Sequence, residues 1–536
     1  MQIADFHVFC AGHEHLLIYG AGQFAGVVLP YLQKHGYNPE ACVVSGNPGG
    51  RDFMGLPYYK VSEYPVQPGA RYGILLTLQE MFHIDAKARV EAAFGPRADV
   101  FALLDRDIGL LAQSYRRERM YEMLDLPREL VYEGDYAARA AQILARHKRI
   151  YLRFIDMRGI GCVIAWIYWC WQRQHQQDGL YWLFWPSVRP IHTEMELKGA
   201  NAYLLDKMRE PGIEVVSEEN LGFWRYLYQR EPGMFIIDTG FSLVDWVKQL
   251  DTFIWLHGSR TAGEFIHFTP EEERLGRERA AEMGLRAPFM CFSVRDNIYR
   301  SSIQKHVTDV ADRSGKYRNY PLAVLQPVLG KMVDFGLQAV RMGALVGESI
   351  DWPNVVDYAH DYRTEFMDAW LFAHCTFFAC IPSGIQAIPQ LFSKPHAMFN
   401  LTIQTTRNDY GMFTSSERDL AIMQKYWLEK EQRFLSLREM LRIETDESLH
   451  TFSSIGAYTA YDKMGAVPVK NSEEEVAELL QEMALRLQGK MVYTEEDERL
   501  QASYREIVDT YPLRHNFPFV FRMGAHFLRT NPWFLE

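Results

Sequence analysis

Three times along the chain, short apolar runs alternate with longer stretches of helix-spaced polarity. This alternation restricts the fold more than any other feature. The first series holds HLLIYGAG (15–22), ACVVS (41–45), YGILLTL (72–78) and ADVFALLD (98–105), with the amphipathic FAGVVLPYLQKHG (24–36) between the first two. The second runs through RIYLRFID (149–156), LYWLFWPSV (180–188), IEVVS (213–217) and MFIID (234–238). The third begins at PFMCFSVRD (288–296) and continues through LQAVRMG (337–343) and CTFFACIPSG (375–384) to HAMFN (396–400). Runs apolar on both faces suit strands buried on both sides, and helices between them impose parallel crossovers.

A chain of 536 residues, 48% hydrophobic, exceeds a single core and calls for several domains. The series divide it into an α/β chain. A Rossmann-like nucleotide-binding module is expected over 1–110 and a helical linker over 111–148. Two further Rossmann-like lobes are expected, a first, acceptor lobe over 149–268 and a second, donor lobe over 269–410, then a helical region over 411–536 packing back on them. SEEEVAELLQEMALRLQGK (472–490) is its clearest helix, with Ser472 as N-cap and Glu475 completing a capping box. Twin α/β lobes with a helical tail resemble the two-lobed glycosyltransferase architecture called GT-B.

A formal charge of -11 argues against a nucleic-acid partner, whose phosphates need a basic face. YRRER (115–119) is read as a solvated helix face. Seven scattered cysteines without a CxxC pair support neither a zinc site nor a disulfide framework, which fits a reducing compartment. MQIADFHVFCAGHEH lacks the basic and apolar regions of a secretory signal. The apolar run 159–171 is shorter than the roughly 20 residues of a spanning helix. A soluble, cytoplasmic protein is expected; peripheral membrane association and a homo-oligomer stay open.

GAGQFA places Gly20, Gly22 and Ala25 at the GxGxxG/A positions of a strand–turn–helix. Nicotinamide binding would want an acid at the end of the second strand, to hold a ribose hydroxyl. That strand ends in VVSGNPGG, with Ser45 and Asn47 there and Asp52 late. NAD, another nucleotide or acyl-CoA, and a structural or assembly role all stay open for this module. The segment from LLIYGAG to GLPYYKVSEY (16–64) resembles the N-terminal module of bacterial sugar-modifying acetyltransferases, a module also attached to some glycosyltransferases.

A second resemblance covers about residues 265–410. FTPEEERLGRERAAEMGL leads into PFMCFSVRD, YRNYPLAVLQPVLGKMVDFGLQAVRMG and VVDYAHDYRTEFMDAWLFAHCTFFACIPSGIQAIPQLFSKPHAMFN. This order is similar to a family of bacterial glycosyltransferases from capsule and surface-polysaccharide loci, distantly similar to O-fucosyltransferases. The closing FRMGAHFLRTNPWFLE also resembles that family's C-terminus. The family pattern has H-x-R-D early in the second lobe, R-M-G after a strand and S-G before a helix. Ser293 stands here at the histidine position, with Arg295 and Asp296 completing the motif; Arg341 to Gly343 and Ser383–Gly384 supply the others. The resemblance implies transfer of a sugar from a nucleotide-sugar donor to a surface glycan or glycoprotein acceptor.

The chemistry agrees. Glycosyl transfer leaves negative charge on the departing diphosphate, and a site without metal neutralises it with fixed cations and backbone donors. Arg295 and Arg341, at the ends of apolar strands, are expected to do so, with Ser383 and Gly384 offering a hydroxyl and helix-start N–H groups. Ser293, Asn319, Tyr320 and Gly343 complete the candidate donor site. The plainer alternatives are a salt bridge for each arginine and an ordinary N-cap for Ser383. No DxD-like pair follows a strand, and DYAHDY (357–362) is read as a solvated loop, so no metal and no cofactor is expected for transfer. A general base for the acceptor hydroxyl could be Asp156 or Asp238 of the first lobe, or Asp296 of the second; the choice stays open. Two other readings remain. One is a bifunctional enzyme with an NAD-dependent nucleotide-sugar-modifying N-terminal domain, and the other is a non-catalytic glycosyltransferase-like scaffold.

Overall fold

The computed structural model describes residues 3–48, 50, 52–78, 82–104, 107–108, 110–111, 114–115, 124, 136–155, 179–186, 201–208, 212–238, 266–286, 288–296, 298, 315–403, 416–445, 455–510 and 521–536. Asp156, the apolar run 159–171 and most of the linker 111–135 lie outside them. The fold is α/β, built on three largely parallel sheets. Two compact units divide the chain: 1–156 with 177–196 and 214–242, and 157–176 with 197–213 and 243–536. Among the described residues no helix is long and apolar enough to cross a membrane.

The N-terminal sheet holds β1 (His15–Tyr19), β2 (Ala41–Val44), β3 (Asp52–Phe53), β4 (Leu56–Lys60), β5 (Tyr72–Leu76) and β6 (Ala98–Ala102). Their order is β3-β4-β2-β1-β5-β6, parallel except for the β3–β4 hairpin. Alternate residues of β1 go to opposite faces. Leu16 and Ile18 pack with Ala25, Val28, Leu29 and Leu32 of the helix Gln23–Lys34. Leu17 and Tyr19 pack with Ala86, Val90 and Phe94 of the helix His83–Phe94. A sheet covered on both faces needs strands apolar on both sides, which is the pattern the sequence carries.

In the second sheet β7 (Arg149–Ile155), β8 (Leu180–Pro186), β9 (Ile213–Val215) and β10 (Phe235–Asp238) take the order β10-β7-β8-β9. Trp182, Leu183 and Phe184 are buried in β8, and the helix Glu218–Arg230 adds Phe223, Trp224 and Leu227 to the core. The buried Glu214 carboxylate accepts from both Arg139 Nη2 and Tyr181 Oη and from Asn220 Nδ2, so this acid is fully partnered.

The third sheet contains β11 (Phe289–Ser293), β12 (Gln338–Arg341), β13 (Val355–Val356), β14 (Phe378–Cys380), β15 (His396–Leu401) and β16 (Leu420–Met423). A small antiparallel sheet follows: β17 (Lys425–Leu428), β18 (Arg433–Phe434) and β19 (Ala466–Val469). β20 (Arg522–Met523) closes the large sheet, whose order is β13-β12-β11-β14-β15-β16-β20, parallel throughout. Helices dominate beyond residue 410, yet that region also lends β16 and β20 to the sheet. The helix Glu473–Leu487 packs on β15 and β16. Its start is the expected capping box: Glu475 N–H donates to Ser472 Oγ at 3.2 Å and Ser472 N–H to Glu475 Oε2 at 2.8 Å.

All three sheets share one break in strand order. The chain builds outward from a first strand, then returns to lay the next strand on its other side: β1 beside β5, β7 beside β10, β11 beside β14. At such a reversal the connections leave in opposite directions and open a crevice beyond the strand ends, where ligands of doubly wound sheets bind.

Candidate functional site

The crevice of the third sheet is the best defined. Ser293, the last residue of β11, lies in register with Cys380, the last of β14. Both strands therefore end at the same level, with Arg295 two residues beyond one end and Ser383 three residues beyond the other. Of the candidate residues, Arg295, Ser383 and Gly384 stand just beyond these two strand ends, on either side of the reversal.

The segment Lys316–Tyr320 braces the opening. Tyr320 N–H donates to the Arg295 carbonyl at 3.2 Å. Arg318 Nη2 donates to the Pro382 carbonyl at 2.8 Å, fixing the residue before Ser383. Lys470, just past β19, donates through Nζ to the carbonyls of Lys316 at 3.0 Å and Tyr317 at 2.8 Å. Burial pushes the Lys470 ammonium down to about 8, and the neighbouring Arg295 charge adds to the shift. Arg318 and Lys470 thus hold backbone carbonyls of the segments that meet beyond the ends of β11 and β14.

Ser383 is the N-cap of the short turn Gly384–Gln386. Its own N–H is taken by Gln386 Oε1 at 3.1 Å, with the Gln386 side chain buried beneath it. The ordinary capping alternative therefore describes the Ser383 N–H, and Gly384 follows it as the first residue of the turn. Asn319 Oδ1 is buried and has no hydrogen-bond partner among the described residues.

The other expected donor residues sit differently. Ser293 is buried at the strand end. Tyr320 is buried against Phe399 and gives its hydroxyl to the Asn471 carbonyl at 2.8 Å, so it holds the brace and does not present its hydroxyl to a ligand. Arg341 is buried; its Nη1 meets both Asp357 oxygens at 3.3 Å and the Glu348 carbonyl at 2.6 Å. That is the salt-bridge alternative, and it makes Arg341 part of the sheet's framework. Gly343 follows in a tight turn, where a Cβ would come within 2.9 Å of Val346 Cγ1. Asp296 Oδ1 accepts from Ile298 N–H at 3.0 Å, closing a local turn. Asp238 ends β10 beside β7, the strand that leads to Asp156.

DYAHDY is not wholly a solvated loop, since Asp357 is buried. Asp357, His360 and Asp361 bring ligand atoms within 4.8 Å of one another. The Asp357 carboxylate, however, is already engaged by Arg341 and by Ile350 N–H at 2.8 Å, and His360 Nδ1 is held by Asp361. The set reads as an ion-pair cluster.

In the N-terminal sheet, Gly20 follows β1 with φ +116°, and a Cβ there would sit 3.0 Å from the Thr77 carbonyl. Gly22 is the N-cap of Gln23–Lys34 with open space at its Cβ position, and Ala25 is buried in the helix–sheet contact. At the end of β2, Ser45 Oγ meets Tyr19 Oη at 2.7 Å. Asp52 Oδ1 accepts from Gly55 N–H at 3.2 Å, so this acid serves the β3–β4 turn.

Arg318 and Lys470 were not legible as site residues in the sequence. Arg318 shares the segment KYRNY with Lys316 and Lys470 stands alone after β19, so neither belongs to a motif and only tertiary contacts single them out.

No family model matches the sequence, and no curated protein matches it. Solved structures similar in part include a glycosyl transferase family 9 protein from Veillonella parvula DSM 2008. That match is 11% identical, with a TM-score of 0.34, over 67% of this chain and 100% of the other. The E. coli ADP-heptose LPS heptosyltransferase II matches at 11% identity and TM-score 0.28, over 88% of this chain and 99% of that one. The iron-containing dodecameric glycosyltransferase TibC of enterotoxigenic E. coli matches at 11% and 0.25, over 47% and 58%. Likeness at this level is too slight to carry function, which has to be argued from the residues of the crevice.

Proposed function

We propose that the chain is a cytosolic glycosyltransferase that moves a sugar from a nucleotide-sugar donor to a surface glycan or glycoprotein acceptor. The observation that carries this is the reversal between β11 and β14, with Arg295 on one lip and the Ser383–Gly384 turn on the other. Departure of a nucleoside diphosphate leaves charge on its β-phosphate as the anomeric carbon becomes cation-like. A guanidinium and a main-chain N–H fixed at that point stabilise the charge more in the transition state than in the bound donor. Asn319 offers a polar atom for the sugar or base.

The acceptor hydroxyl needs a base, and Asp238, Asp156 and Asp296 are the candidates at strand ends. Asp296 already spends one oxygen on its own turn, and the other remains for this role. For the N-terminal module we propose a nucleotide ligand at the Gly20–Gly22 turn. Asp52 is committed to a hairpin and Ser45, just past β2, meets Tyr19, so neither of these described residues supplies the acid that the ribose of NAD wants.

The test is nucleoside diphosphate release from UDP-, GDP-, ADP- and CMP-sugars (nucleoside monophosphate for the last) with candidate glycan acceptors. Release from one donor that drops at least a hundredfold in Arg295→Ala is expected. Folded protein that turns over none of them would support the non-catalytic scaffold. Full activity in both Arg295→Ala and Gly384→Pro would remove the site.

A further inference from the structure

Lys470 lies in the region beyond the expected donor lobe, yet it reaches the same crevice. It extends from the end of β19, which pairs with β17 with Val469 opposite Lys425. Its ammonium has three N–H donors. Two are engaged by the Lys316 and Tyr317 carbonyls. Carbonyls satisfy hydrogen bonds without cancelling a charge, and no carboxylate pairs with Lys470 among the described residues.

The charged groups around it are otherwise occupied. Asp462 accepts from Lys316 Nζ at 2.7 Å and from Tyr317 Oη at 2.8 Å. Glu475 is paired with Lys425 at 2.8 Å and caps its own helix. From two residues beyond β11 the Arg295 charge acts on Lys470 as well. A half-buried ammonium under the charge of a guanidinium, with no carboxylate paired to it among the described residues, holds its charge at a cost. The arrangement becomes favourable when an anion enters between them.

We infer that Lys470 is a direct ligand of the donor's diphosphate, a second cation supplied to the β11–β14 crevice from the C-terminal region. This rests on the glycosyl-transfer reading of that crevice and adds the residue that complements Arg295. A diphosphate fits the pair better than a monoanion, because it carries a charge for each cation and spans two phosphate groups. Binding keeps Lys470 protonated, so the complex takes up a proton wherever the free ammonium is partly neutral. Affinity therefore falls as pH rises above about 8. The other groups facing Lys470 do not mimic this, since Arg295 stays charged throughout and Asp462 and Glu475 are acids held in ion pairs.

The experiment is isothermal titration of UDP, GDP, ADP and CDP into the full chain at pH 7.0 and pH 9.5, in buffers of different ionisation enthalpy. Wild-type protein should bind one diphosphate, more weakly at the higher pH and with proton uptake near pH 8. Lys470→Met should weaken binding at pH 7.0 by about tenfold or more, the size of one charge-assisted hydrogen bond, and lose the pH dependence. Lys470→Arg should keep the affinity at both pH values. Equal affinity and an unchanged pH profile in Lys470→Met would overturn the inference and leave the crevice reading standing. A wild-type protein that binds none of the four would overturn both. Should Lys470→Met fail to fold, the wild-type proton uptake and the Lys470→Arg profile decide: no proton uptake, or an unaltered fall in affinity in the arginine variant, refutes the role.

Discussion

Arg318 donates to the carbonyl of Pro382 at 2.8 Å, across 64 residues of sequence. The bond joins the brace 316–320 to the residue that precedes Ser383, so the turn bearing Gly384 N–H is set by a side chain outside it. Arg318→Ala should release that turn without removing a ligand contact. The expected result is a KM for the donor several-fold higher with little change in melting temperature. An unchanged KM would show that the turn holds itself.

Arg341 and Asp357 form a buried ion pair at the end of β12, so their role is expected to be structural. Breaking such a pair leaves a buried charge unpaired and costs about 3–5 kcal/mol. Arg341→Met should lower stability by about that amount in urea denaturation. Arg341→Met combined with Asp357→Leu should recover most of the loss, since replacing both partners removes the stranded charge. Diphosphate affinity of the folded fraction should stay unaltered.

Asp368 gives a pH dependence whose sign is fixed. Burial pushes its carboxyl up to about 6, against the opposing pull of Arg363 and the Tyr358 hydroxyl. Between the ordinary value of 3.8 and about 6 the folded state holds a proton that the unfolded chain has lost. The contribution of this group to stability is therefore largest at low pH, declines as pH rises through that window and is flat above it. The difference in unfolding free energy between wild type and Asp368→Asn should follow that curve. A difference independent of pH from 3.5 to 7 would contradict the assignment.

Gly20 permits a backbone that other residues adopt at a cost. With φ +116° and the Thr77 carbonyl 3.0 Å from a Cβ, Gly20→Val should destabilise the N-terminal module by about 1–3 kcal/mol. Gly22→Ala meets open space and should be nearly neutral. Denaturant titration of the two variants distinguishes them, and equal stabilities would contradict the turn geometry.

Much of the fold could be read from local pattern. β1, β2, β5 and β11 are short apolar runs between turn residues, and the capping box at Ser472 is a local motif confirmed by its two hydrogen bonds. The position of Arg295 and of Ser383–Gly384 just past β11 and β14 was also legible, because each follows an apolar run closely. β16 and β17 were not, since DLAIMQKYW (419–427) looks equally well like a turn of buried helix. The role of Arg341 depends on an acid 16 residues away, and Lys470 meets Tyr317 across 153 residues. Contacts at such separations leave no periodicity in the sequence.

A structure of the full chain with a bound nucleoside diphosphate is the most direct measurement. The phosphates are expected within hydrogen-bond distance of the Arg295 guanidinium and Gly384 N–H, beyond the ends of β11 and β14. Density for the diphosphate elsewhere, with those groups in contact only with protein, would contradict the assignment of this crevice.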